Sequence, residues 1–159
     1  MRKPVSGLLT EEDLFLFLDY YEFTSGKCNL DFKMNQQITE NFFFREVPMH
    51  LGSYILAAGL EQFASYIELM NRGLRKGHRN WLRRSSGSDF VDEAFLDYLQ
   101  NFKFTGDVYA TPEGTPVFPN EPIINVTGPS IDGQLFETFL LNVINFESLV
   151  ATKTSRMVL

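Results

Sequence analysis

Arginines, histidines and carboxylates are the groups in this chain that could do chemistry, and few are spaced for a recognisable task. Arg45 closes the aromatic run Asn41-Phe42-Phe43-Phe44-Arg45. A guanidinium is a planar fork of donors suited to phosphate. Six of the 14 Lys and Arg crowd into residues 72–84, as Arg72, Arg75, Lys76, Arg79, Arg83 and Arg84. Such a run is more often a solvated connection between helices than a patch for a phosphate-rich partner. His50 and His78 stand far apart, and each reads as a surface or loop histidine rather than a ligand or base. The lone Cys28 cannot form an internal disulfide or a cysteine-rich zinc site. The sequence holds no Walker loop, no GxGxxG, no HExxH and no GxSxG elbow. No pair of carboxylates has a spacing specific to acid–base catalysis. Asn125-Val126-Thr127 fits the glycosylation pattern, which means nothing in a cytoplasmic setting.

Composition bounds what these groups can serve. The chain has 159 residues, 44% hydrophobic and 21% charged, the size and balance of one ordinary globular domain. Its 16 Phe, 6 Tyr and 1 Trp supply enough apolar area for a real core. A net charge of −6 disfavours a general nucleic-acid role, which needs a basic face. One unpaired cysteine, an N-terminus without the apolar run of a signal peptide and no stretch of about 18 apolar residues together predict a cytoplasmic protein with no membrane span.

The elements that must position these residues read as α+β. Residues 11–23 predict a helix, opened by Glu11 and Asp13 and closed before Gly26. Residues 41–47 predict a strand stopped by Pro48, and residues 52–56 a short second strand. Leu60, Phe63, Ala64, Ile67 and Met70 recur at helical spacing within residues 57–70. Ser88 or Asp89 can cap a helix to Asn101, with Phe90, Ala94, Leu96 and Leu99 inward. Residues 104–128 then read as short strands at 108–110, 116–118 and 123–126, punctuated by Pro112, Gly114, Pro119, Asn120, Pro122 and Gly128. From Ser130 a long helix follows, with Leu135, Phe136, Phe139, Leu140, Val143, Ile144 and Phe146 on a wide apolar face. Its pattern reaches Leu159 without a terminating Gly, Asn or Pro, so a truncated or split coding unit is expected. The order of helices and strands predicts helices packed with a small, mostly antiparallel sheet, without βαβ alternation.

Three segments, in order, resemble the nicotinate phosphoribosyltransferase family. The longest lies in residues 102–156: Phe102-Lys103-Phe104-Thr105-Gly106-Asp107-Val108-Tyr109-Ala110, Pro112-Glu113-Gly114, Val117-Phe118-Pro119-Asn120-Glu121-Pro122 and Val126-Thr127-Gly128-Pro129. It continues through Gln134-Leu135, Glu137-Thr138 and Leu140-Leu141-Asn142 to Ile144-Asn145-Phe146 and Ala151-Thr152-Lys153. The second is Phe43-Phe44-Arg45 with Pro48, Tyr54 and Ala57-Ala58-Gly59-Leu60-Glu61. The third is Leu8-Leu9-Thr10 with Asp13-Leu14-Phe15; here Glu11 and Glu12 intervene and Phe15 stands where the family usually has Tyr. The basic run at 72–84 also departs from the family's usually acidic connection.

The resemblance implies an N-terminal α+β domain over residues 1–129, a long helix over 130–159 leading toward a C-terminal α/β barrel, and no barrel in this chain. It implies an enzyme of NAD biosynthesis that joins nicotinate to phosphoribosyl pyrophosphate, giving nicotinate mononucleotide and pyrophosphate. ATP and Mg²⁺ are implied as helpers, the phosphorylatable histidine lies in the barrel, and this portion alone is expected to bind neither and to be inactive. A head-to-tail homodimer is implied, one subunit's N-terminal domain closing the other's site. Carried over residue by residue, Phe15 would stack on nicotinate with Asp13 at the ring edge, and Arg45 would reach the phosphates in the partner's site. Arg156, with Thr152 and Lys153, would bind the phosphoribosyl group or pyrophosphate. No added arginine near Glu137-Thr138 marks a second carboxylate on the base, which favours nicotinate over quinolinate. The alternative is a non-catalytic interaction module that binds an anionic partner through residues 72–84.

Overall fold

The computed structural model describes residues 10–11, 13–48, 52–85 and 91–158. Among these residues a short 3-10 turn, Leu14–Leu16, precedes five helices: α1 (Tyr20–Asp31), α2 (Leu60–Met70), α3 (Lys76–Ser85), α4 (Glu93–Gln100) and α5 (Ser130–Val158). The strands are β1 (Gln37–Phe43), β2 (Ile55–Leu56), β3 (Asp107–Ala110), β4 (Pro116–Val117) and β5 (Pro122–Pro129). All pairing is antiparallel: β5 lies between β1 and β3, and β2 pairs with β4. The architecture is therefore the α+β one read from the sequence, ending in a long helix.

The first helix begins later than its aromatic run suggests. Residues 14–16 make only one tight turn, and α1 starts at Tyr20, where the Glu22 carboxylate accepts the Asp19 N–H at 2.9 Å. Gly26 does not end α1 but lies buried within it. A Cβ there would come within 3.1 Å of Ile131 Cγ1, so glycine lets α1 approach α5 closely. Glu22, fully buried, ties the two helices together by accepting the Thr138 N–H and Oγ1–H at 2.9 and 2.8 Å. Burial holds its carboxyl above the usual carboxylate range.

Strand β1 covers residues 37–43 rather than 41–47. Its ladder with β5 slips after Phe42 and ends where Phe43 faces Pro122, which has no N–H to donate. Arg45 thus stands on a bend beyond the strand rather than in it. Residues 76–85 form helix α3 where a solvated connection was expected. Ser88, Asp89 and Phe90 lie outside the described residues; the cap of α4 is Asp92, whose side chain accepts the Phe95 N–H at 2.9 Å. That start turns Phe95, Leu96 and Leu99 inward and leaves Ala94 exposed.

Helix α5, 29 residues long, is the spine of the fold. Ile131, Leu135, Phe136, Leu140 and Ile144 are buried, whereas Phe146, expected on the same face, is 67% exposed. By length and composition α5 could cross a bilayer, but this inner face is spent on the core. Phe136 is the hub, edge-on to Phe63, Tyr66, Phe102 and Phe104, and Tyr66 stacks flat on Phe139 with centroids 3.8 Å apart.

Candidate functional site

The last turns of α5 hold the segment around β2 by two buried hydroxyls. Ser148 Oγ accepts the Ala58 N–H and donates to the Ala58 carbonyl, at 3.0 and 3.1 Å. Thr152 Oγ1 accepts the Leu56 N–H at 2.9 Å and donates to the Ser148 carbonyl at 2.6 Å. Thr152 is fully buried and its one hydroxyl proton is spent within the fold, so it positions backbone rather than offering a donor to a ligand. Lys153 and Arg156 follow on the exposed face of the same helix. The Arg156 guanidinium lies over the Tyr54 ring, its carbon 3.8 Å from the centroid.

The other sequence-derived candidates lie elsewhere. Arg45 is exposed and borders two clefts of about 300 and 360 Å³, shared with Glu40, Glu137, Leu141 and Asn145. Asn145 and Arg156 are separated by roughly 16 Å along α5, at the usual helical rise. Arg156 lines neither of the two clefts that Arg45 borders. Phe15 is 2% exposed and packs edge-on to Phe102, so its ring serves the core. Asp13 accepts both the N–H and the hydroxyl of Thr10, at 3.0 and 2.6 Å, and these bonds hold its carboxyl below the usual range.

Asp13 also meets His78 Nε2 at 3.3 Å. His78 is thus no loop histidine. It lies on α3 one turn before the buried Leu82, and its Nδ1 is buried without a hydrogen-bond partner among the described residues. The spacing of Leu74, His78 and Leu82 carried that signal. The basic run is partly neutralised from within: Arg79 pairs with Glu93 and Asp97, Arg83 with Glu93, and Arg72 with Glu11. This removes much of the cationic patch that an anionic partner would need. Among the described residues no group of three His, Cys, Asp or Glu could hold a metal ion.

A further carboxylate fixes the base of α2. Glu113 Oε1 accepts the N–H groups of Gly59, Leu60 and Glu61 at 3.1, 2.6 and 3.3 Å, and so fills the helix N-terminus from the turn before β4. Glu113→Ala strips three backbone donors of their acceptor. It is expected to cost about 1–2 kcal/mol in urea unfolding, with Glu113→Gln recovering part of it. A loss below a few tenths would mean that water replaces the carboxylate without cost.

Compared with known families, residues 16–145 match the nicotinate phosphoribosyltransferase (NAPRTase) N-terminal domain. The chain belongs to the nicotinate phosphoribosyltransferase family. It is 38% identical over 143 residues to nicotinate phosphoribosyltransferase pncB2 of Mycobacterium tuberculosis, covering 90% of this chain and 30% of that one. It is 40% identical over 115 residues to the nicotinate phosphoribosyltransferase of Bacillus subtilis, covering 72% of this chain and 22% of the relative. The fold matches the crystal structure of human nicotinic acid phosphoribosyltransferase with a TM-score of 0.77 at 31% identity, over 87% of this chain and 27% of that one. A TM-score of 0.60 at 17% identity to nicotinate-nucleotide pyrophosphorylase from Pyrococcus furiosus shows a shared fold. The chain thus spans 30% or less of the length of these relatives. Within this N-terminal phosphoribosyltransferase domain, Arg45 falls in the matched segment, Asp13 and Phe15 precede it, and Thr152, Lys153 and Arg156 follow it.

Proposed function

We propose that this chain is the N-terminal portion of a nicotinate phosphoribosyltransferase that joins nicotinate to phosphoribosyl pyrophosphate, giving nicotinate mononucleotide and pyrophosphate in NAD biosynthesis. What carries the reading is the family domain across residues 16–145, on which the long α5 delivers Arg156 to the surface. As pyrophosphate leaves the ribosyl carbon, negative charge grows on the leaving group, and fixed cations at that point lower the barrier. Arg156 and Lys153 are assigned to the phosphates, with Thr152 holding the β2 segment behind them. Arg45, whose two clefts Arg156 does not line, is assigned to the partner's site in a homodimer. Asp13 and Phe15 serve the nicotinate end through the turn they anchor, since the Phe15 ring is buried. Mg²⁺ and ATP belong to the part of the enzyme outside this chain, and the enzyme works in the cytoplasm, away from membranes.

Two measurements test this. The 159-residue chain alone is expected to form no nicotinate mononucleotide, whereas the full coding unit, read on into a barrel, forms it. In that full protein, Arg156→Ala is expected to lower kcat/KM for phosphoribosyl pyrophosphate by about 10²-fold or more, the scale on which fixed charge stabilisation acts. Turnover equal to wild type would remove Arg156 from the site; turnover by the short chain alone would overturn the division of labour.

A further inference from the structure

The cations of this chain are held in two different ways. Arg72, Arg79 and Arg83 each meet a carboxylate, and their charge is met inside the fold. Arg156 makes no ion pair among the described residues; its guanidinium carbon lies over the Tyr54 ring, 3.8 Å from the centroid. A guanidinium stacked parallel to a ring has one face covered by the ring's electron-rich face, while the N–H groups around its edge still point outward. Carboxylate pairing consumes that edge, and stacking spares it. The group is also approached closely by Gly52. An ideal Cβ at that position would lie 2.9 Å from Arg156 Nη2 and 3.3 Å from Cζ, and the backbone there has a φ of +88°, a conformation open to glycine. The guanidinium therefore sits in a slot with an aromatic floor and a wall that has no side chain.

Both walls of the slot belong to the segment leading into β2. The strand that follows is pinned to α5 by the Thr152 hydroxyl at Leu56, one turn before Arg156, and the chain just after it by the Ser148 hydroxyl at Ala58, two turns before. Floor and arginine are thus fixed to one another across the same small interface, and Lys153 stands nearly one turn back on the exposed side of the helix.

We propose that Tyr54 and Gly52 are positioning residues that hold the Arg156 guanidinium flat, with its N–H edge presented to the phosphates of phosphoribosyl pyrophosphate or of released pyrophosphate. The inference rests on the reading of Arg156 given above and adds the device that aims it. A free arginine at a helix end samples many rotamers, and each bond to phosphate must first overcome that entropy. A stacked one has already lost most of it.

The test uses inorganic pyrophosphate as probe, titrated calorimetrically into the chain and its variants, with thermal unfolding run in parallel. Arg156→Ala is expected to abolish the binding. Tyr54→Leu keeps an apolar surface but removes the ring face, and should weaken binding about five- to tenfold, while Tyr54→Phe, which keeps the face, stays within about twofold of wild type. Gly52→Ala leaves Tyr54 intact but crowds Nη2, and should weaken binding in the same sense as Tyr54→Leu; it serves as the second arm if the leucine variant fails to fold. Wild-type affinity in both Tyr54→Leu and Gly52→Ala, with binding lost in Arg156→Ala, would overturn the positioning role and leave the phosphate role standing. Undiminished affinity in Arg156→Ala, or no binding by the wild-type chain, would overturn the reading beneath it. Equal losses in Tyr54→Phe and Tyr54→Leu would trace the effect to the hydroxyl and sink the stacking argument.

Discussion

Phe136→Ala is expected to destabilise the domain by about 3–5 kcal/mol, a loss typical of deleting a fully buried aromatic ring. Phe136 is 0% exposed, and four other aromatic rings, two on α2 and two in the loop after α4, meet it edge-on. No single neighbour can swing in to fill the space, because Phe63, Phe102 and Phe104 are each held by their own elements. Against a total stability of about 5–15 kcal/mol, such a loss should shift the urea midpoint far down or abolish cooperative unfolding. Phe146→Ala is the control. Phe146 is 67% exposed, and its removal should change stability by less than about 0.5 kcal/mol. Similar losses for the two would mean that the exposed end of α5 is covered in solution.

That pair also marks where sequence reading succeeds and fails. The length of α5 and its apolar character were legible, because a wide stripe at helical spacing leaves few other structures open. Which residues of the stripe are buried was not legible, since this depends on where α1, α2 and α4 press against it. The strands after residue 104 were legible from Pro and Gly punctuation. The N-terminal helix was misplaced because its aromatics have no single face, and because Gly26, an apparent terminator, answers to the approach of Ile131 more than a hundred residues away. Strand β1 was set too late because its end is decided by Pro122 on a different strand.

The site follows the same rule. Arg156, Lys153 and Arg45 could be named only from a family resemblance, through the motifs they stand in. Phe15 could go to ligand or core, and only packing against Phe102 assigns it to the core. Tyr54 under Arg156, and His78 beside Asp13, are contacts between residues remote in sequence, invisible to any local pattern. The charge of residues 72–84 was legible; its neutralisation was not, because Glu93 and Asp97 arrive from another helix.

Asp132→Asn is expected to stabilise the domain at pH 8 and to leave it nearly unchanged at pH 4. Asp132 lies in the first turn of α5, 2% exposed, with Oδ2 lacking a hydrogen-bond partner among the described residues. Burial pushes its carboxyl up to about 7, against the partial relief of a Thr105 backbone N–H. The sign follows from proton counting. In the unfolded chain the group ionises near 3.8, so between about pH 4 and 7 the folded state holds the proton that the unfolded state has lost. Unfolding therefore grows easier as pH rises through that window, and above it the full penalty persists. A shift of this size corresponds to at most about 4 kcal/mol. Glu22 and Glu40, also raised by burial, tilt the curve the same way, so the wild-type slope will not vanish in the variant. The difference between the two curves isolates Asp132. It should open between pH 4 and 7 and reach about 5–10 °C in thermal midpoint at pH 8, at the usual conversion for a domain of this length. A constant difference across the range would show that the gain comes from packing and that Asp132 titrates as an ordinary carboxylate.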